Sequence, residues 1–176
     1  MKRISLVLIS VLLISAVLLS ACAKTAGANT IKVATDATFK PFEYTDDQGN
    51  LIGIDIELME MIAEKAGLTI EWVNLPFDSA LAGISECQYD ASIAAISITD
   101  ERKQAMLFSD PYMTAGLVVV VAADNTTING MDDLVGLTVA AQLGTTGELA
   151  AQAIEGVTYK PYDSYEIGRA SCRERV

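Results

Sequence analysis

The sequence predicts an α/β fold built on a parallel sheet. Short apolar, β-branched runs alternate with stretches of helical periodicity. One run, Ala91 to Ile96, is apolar throughout, as a strand covered on both faces must be. The strand–helix order also begins again after Tyr112 to Gly116 without a shift in composition, which marks a boundary between two lobes.

The elements follow in order. Ile31 to Ala34 alternates and runs into Thr35-Asp36, a first strand ending in a loop. Asp46-Asp47-Gln48-Gly49-Asn50 is a strong turn signal. After Gly53, residues Ile56, Met59, Ile62, Ala63 and Ala66 recur at helical spacing, with Asp55 placed as N-cap and Gly67 as the stop. Leu68 to Val73 reads as a second strand, and Asp78 or Ser79 caps a short helix carrying Leu81 and Ile84. A helix is expected from Thr99, and Leu117 to Ala122 is a further strand candidate. Asp124 to Gly130 is loop-like. Leu137 to Ala141 then gives a strand, a glycine-bearing turn and a helix over about Glu148 to Ile154.

Both ends carry separate signals. Lys2 and Arg3 precede an apolar run from Ile4 to Leu19, and small residues lead into Cys22, so residues 1–21 read as a secretory signal. The run is short for a bilayer span. Leu19-Ser20-Ala21-Cys22 resembles the lipobox of bacterial lipoproteins. That resemblance implies a lipid on Cys22 and a chain anchored to the membrane, with residues 22–30 as a flexible tether. The last eleven residues, EIGRASCRERV, resemble the translation of a sequencing adapter; three of them are Arg, against only Arg3 and Arg102 before. Residues 166–176 are therefore expected to be non-native, and the natural frame to continue past Tyr165.

Between Cys22 and Tyr165 there are 7 basic and 21 acidic residues, a formal net charge of −14. Such a chain repels nucleic acid, which is held chiefly by Lys and Arg. Cys87 is the one cysteine left between the two ends; it has no partner for a disulfide and is expected to be semi-buried. The chain has no His. That excludes Ser-His-Asp triads, Cys-His pairs and histidine-based metal sites.

Arg102 is the sharpest single residue, the only Arg between the signal and the tail. Thr99 is placed to cap its helix, so Arg102 falls in the first turn, where a cation opposes the helix dipole unless an anion is near. A guanidinium fork matches a carboxylate in bidentate fashion. A surface ion pair with Asp100 or Glu101 is the plainer reading. Gly144-Thr145-Thr146-Gly147-Glu148 joins a strand to a helix, a place where free N–H groups attract anions or are simply capped. It lacks the Gly-Lys-Ser/Thr ending of a phosphate loop. Phe39, Pro41, Phe42 and Tyr44 cluster after Asp36; open α/β sheets bind ligands at such strand ends, though Phe42 and Tyr44 read better as a cover over the sheet.

Four segments, VATDATFKPFEY, GIDIELMEMIAEKAGL, ISITDERKQAMLFSDPYMTAGL and LGTTGE, together resemble the extracytoplasmic amino-acid-binding proteins of ABC importers, solute-binding protein family 3. The likeness runs from Ile31 to Tyr165, in the family's order and spacing. It implies a two-lobe, periplasmic-binding-protein-like (type II) fold closing on its ligand, with residues 31–112 as first lobe and 113–165 as crossover and start of a truncated second lobe. It puts Asp36 and Phe39 at the side-chain end of a bound amino acid, with Phe77 as an aromatic lid. It puts the backbone of Ala95, the Ser97 hydroxyl and Arg102 on the α-carboxylate, with Thr145 and neighbouring Thr146 opposite. The family's acidic partner for the α-ammonium falls beyond Tyr165. A chain that stops here is expected to bind amino acids poorly.

The resemblance further implies an ABC permease as partner, an extracytoplasmic location, a monomer, and no metal or organic cofactor. Two other classes remain in view. A dehydratase on the same scaffold needs a general acid or base, and without His the candidates are Asp36 and Glu148. A sensor ectodomain would continue into a membrane span, against which the anchor at Cys22 argues.

Overall fold

The computed structural model describes residues 29–164; the leader through residue 21, Cys22 and the tail from Glu166 lie outside them. The central layer is a three-stranded sheet in the order β5 (Thr69–Asn74), β1 (Thr30–Thr35), β6 (Ala91–Ser92). β1 and β6 run parallel, with Val33 opposite Ala91 and Ala34 opposite Ser92. Val33, Ala34 and Thr35 are fully buried. β1 thus forms the middle of the core, and the loops leaving β1 and β6 emerge side by side.

α1 (Ile54–Ala66) follows Gly53 and ends at Gly67, whose left-handed backbone returns N–H bonds to the last turn. Ile56 and Ala63 are buried against the sheet, but Ile62, expected on the same face, is 48% exposed. Asp55 is not the N-cap; Gly53 holds that position without a side-chain bond, and Asp55 is buried in the first turn. α2 (Phe77–Ser85) likewise begins earlier than expected, with Pro76 rather than Asp78 or Ser79 as its cap residue. Pro76 suits that place because it has no N–H and the helix needs none from that position. Cys87, expected to be semi-buried, is exposed on the turn that ends α2.

Between β1 and α1 the chain makes a small antiparallel sheet, β2 (Thr38–Phe39), β3 (Glu43–Thr45) and β4 (Leu51–Ile52). The aromatic residues of this stretch are organised by it: Phe39 and Phe42 stack at 5.3 Å, and Lys40 Nζ lies 4.8 Å from the Tyr44 ring. The Asp46 to Asn50 turn closes it, with Asp46 accepting from the Gln48 and Asn50 N–H groups.

Ala91 to Ile96 was expected to be one buried strand. Only Ala91–Ser92 stays in the sheet, and the chain then turns out at Ala95, whose φ is 46°. Leu117 to Ala122 forms no strand. Its side chains still alternate, Val118 and Val120 being 84% and 88% exposed and Val119 and Val121 37% and 39%. The backbone groups find no neighbouring strand among the described residues, so the apolar run has nothing to pair with. Beyond it, a 3-10 turn (Met131–Leu134) leads to β7 (Thr138–Gln142), α4 (Thr146–Gln152) and β8 (Thr158–Tyr162). β7 and β8 pair in parallel over five residues.

Candidate functional site

Three segments leave carboxyl ends of strands and meet: Asp36 after β1, Ala95 to Arg102 after β6, and Gln142 to Thr146 at the end of β7. The meeting is close. A Cβ on Gly144, where φ is +75°, would lie 3.1 Å from the Asp78 Cα, so only glycine lets this turn approach α2 without a shift.

Arg102 opens α3 (Arg102–Ala105), a single turn; its N–H donates to the Thr99 hydroxyl at 3.2 Å. The N-cap position itself falls to Glu101, without a side-chain bond, so Thr99 serves this turn from two residues further back than expected. The guanidinium is half-buried and donates to the Ser97 carbonyl at 2.8 Å and the Gly144 carbonyl at 2.7 Å. It also stands 5.6 Å from the centre of the Phe77 ring. Burial draws its pKa down from the usual arginine value, opposed by the charge of Glu101. A guanidinium carries five N–H donors, so two carbonyls leave donors for an anion. Neither Asp100 nor Glu101 forms a described ion pair with it, the Asp100 partner being Lys103.

The Ser97 and Thr146 hydroxyls face each other at 3.5 Å across the meeting point. Thr145, by contrast, is buried and turned inward. Its hydroxyl donates to the Gln142 carbonyl at 2.7 Å and accepts from the Glu148 N–H at 3.2 Å, capping α4. Glu148 returns a bond from the Gly144 N–H at 2.6 Å. The Thr145 hydroxyl is thus engaged within its own turn, while the Thr146 hydroxyl faces Ser97. Thr145→Ala is expected to lower stability by about 1–2 kcal/mol, through the lost cap on the Glu148 N–H and the lost hydroxyl bond to the Gln142 carbonyl. Thr146→Ala should change urea unfolding little. Equal losses for the two variants would contradict this division of roles.

Ala95 is likewise engaged within the chain. Its N–H donates to Asp55 at 2.7 Å, so it is not free for a carboxylate. Its carbonyl, an acceptor, has the chemistry for a cation instead.

Asp36 is 4% exposed and accepts from the Thr38 hydroxyl at 2.9 Å and the Gln142 amide at 2.5 Å. Burial raises its pKa, against the lowering effect of those bonds. Gln142 also donates to the Asp163 carbonyl at 3.0 Å, so one buried amide ties Asp36 to the chain just after β8. Sequence reasoning missed Gln142. Phe39 lies beside Asp36 on β2, half-buried, and Phe77 is buried under the guanidinium of Arg102. Arg102, Ser97, Thr146 and Phe77 therefore come together in one group, while Asp36 and Gln142 form a second.

The profile of the bacterial extracellular solute-binding proteins, family 3, matches residues 31–168. A probable amino-acid-binding protein of Bacillus subtilis is 38% identical over 117 residues, 66% of this chain and 44% of that protein. An ancestral arginine-binding protein, solved bound to glutamine, superposes with a TM-score of 0.79 at 37% identity, over 83% of this chain and 65% of that one. An ancestral amino-acid-binding protein described as a precursor of cyclohexadienyl dehydratase gives 0.78 at 33% identity, over 84% and 66%. The chain spans about half the length of the curated relatives it matches.

Proposed function

The chain belongs to family 3 of the bacterial extracellular solute-binding proteins, and from that premise we propose that the whole protein binds a free amino acid outside the cytoplasm and delivers it to an ABC permease. The observation that supports this most is Arg102. Its fork is held over Phe77 between two loops, beside two cleft-facing hydroxyls, in a chain where every other site class based on His is absent. In this reading the α-carboxylate takes the free donors of Arg102 with the Ser97 and Thr146 hydroxyls, and the Ala95 carbonyl faces the α-ammonium. Thr145 supports the turn.

Asp36 and Phe39 stand at the side-chain end, with Phe77 closing it. Because the Gln142 amide already donates to Asp36, a ligand side chain bearing N–H donors competes with that amide, and an aliphatic one does not. A lipid on Cys22 tethers the protein, as a monomer, at the outer face of the cytoplasmic membrane or in the periplasm. Calorimetric titration of the whole protein, expressed from its source gene, with each free amino acid tests the reading. Heat from at least one is expected; silence from all of them would refute it.

A second reading has one supporting observation, the relative described as a dehydratase precursor. Incubation with prephenate and arogenate tests it. No aromatic product is expected, because Asp36 is tied to Gln142 and Thr38, and Glu148 to the Gly144 N–H.

A further inference from the structure

Behind the cleft lies a buried contact that neither fold nor ligand reading explains. Glu43 on β3 is 1% exposed and Asp55 in the first turn of α1 is 0% exposed. β3 and the first turn of α1 bring the two acids together, and Glu43 Oε2 and Asp55 Oδ1 meet no donor among the described residues. Two carboxylates in contact and out of water cannot both be ionised. A proton on Glu43 supplies the missing donor and satisfies the pair.

The other Asp55 oxygen accepts from the Ala95 N–H at 2.7 Å and from the Tyr112 hydroxyl at 2.8 Å. Ala95 is held at φ 46°, a left-handed conformation that costs a residue with a Cβ and persists only where its surroundings impose it. Two residues later stands Ser97, whose carbonyl holds Arg102. Tyr112 lies where the chain leaves the first set of elements.

We propose that Glu43 and Asp55 hold one proton between them, and that this acid–carboxylate pair positions the binding loop by fixing the Ala95 turn and Tyr112. Both are positioning residues, acting on ligand only through Ala95, Ser97 and Arg102. Only that last consequence rests on the amino-acid reading; the proton exists with or without ligand.

Among the described residues, the charged and titratable groups that act on the pair are acidic or phenolic. Asp36, from the loop after β1, acts on Glu43, and Tyr112 faces Asp55. Lys40, on the neighbouring turn, is engaged over Tyr44. Burial first, then Asp55, pushes the Glu43 carboxyl from 4.5 up to about 9. Burial and the bond to Asp55 push the Tyr112 phenol up as well. The folded chain therefore keeps a proton that the unfolded chain releases. The stability tied to it is complete below the ordinary glutamate range and is lost as pH rises through the folded value.

The test uses the full chain without ligand. Urea midpoints are measured between about pH 6 and pH 10, and the Glu43 carboxyl and Ala95 amide are followed by NMR. The wild-type midpoint is expected to fall across that range, with the Glu43 carboxyl and the Ala95 amide moving in one alkaline titration. Glu43→Gln keeps a donor to Asp55 and should flatten the profile; Asp55→Ala should lower the midpoint at every pH and release the Ala95 amide. A Glu43 signal that titrates with the exposed carboxyls in acid, or an Ala95 amide indifferent to it, overturns the proposal without need of any variant. A clear alkaline step in a protein that binds no amino acid would uphold the pair and count against the ligand reading alone.

Discussion

Replacing Arg102 by alanine is expected to weaken amino-acid binding by about a hundredfold or more. Among the described residues of the site the guanidinium is the only strong cation, and a carboxylate entering beside Phe77 would otherwise lose its water for two hydroxyls. Charge-assisted bonds are each worth about twice a neutral one, and the bidentate fork supplies two. Arg102→Lys should recover only part of the loss, since an ammonium cannot hold Ser97, Gly144 and a carboxylate in one plane. The fold should survive both changes, because α3 is a single turn with no buried residue. Titration calorimetry of the whole protein reads the effect. Unchanged affinity in Arg102→Ala would remove this residue from the site.

The second large effect is on folding. Gly53→Ala is expected to destabilise the chain by about 3 kcal/mol or more. Gly53 has φ 131° and ψ 176°, a region open essentially to glycine alone. A Cβ there would also lie 2.2 Å from the Phe42 carbonyl oxygen. That oxygen accepts the Asp55 N–H at 2.9 Å, so it cannot retreat without opening the start of α1. The strain therefore reaches Asp55, and through it Ala95. Urea unfolding measures the cost; a change below about 1 kcal/mol would show that the β3–α1 junction is looser than described. Gly49→Ala serves as the control, since nothing stands within 4 Å of its Cβ and any loss there reflects backbone conformation alone.

Local signals in the sequence carried much of this. α1 is legible from its apolar spacing and from Gly67, because helix period and a left-handed stop are properties of consecutive residues. Thr99 and Arg102 are legible for the same reason. What escaped depends on partners far along the chain. Asp55 reads as a cap because an acid before a periodic run has that chemistry, but its acceptor is occupied by Ala95, forty residues on. Gln142 is silent because its partner, Asp36, is 106 residues away. Thr145 and Thr146 are adjacent and alike; only the start of α4 decides that one faces inward and the other Ser97. β2, β3 and β4 are two or three residues each, too short to show a period. Leu117 to Ala122 shows the converse: its strand alternation is present in the side chains, but a strand also needs a neighbour.

In the proposed function, Arg102, Ser97 and Thr146 receive an α-carboxylate. The most direct measurement compares the best-binding free amino acid with its α-carboxamide, which keeps side chain and ammonium but removes the negative charge. The carboxamide is expected to fail to bind at concentrations that saturate the acid. Equal binding of the two would contradict it, and would mean that the cleft grips its ligand by the ammonium and side chain instead.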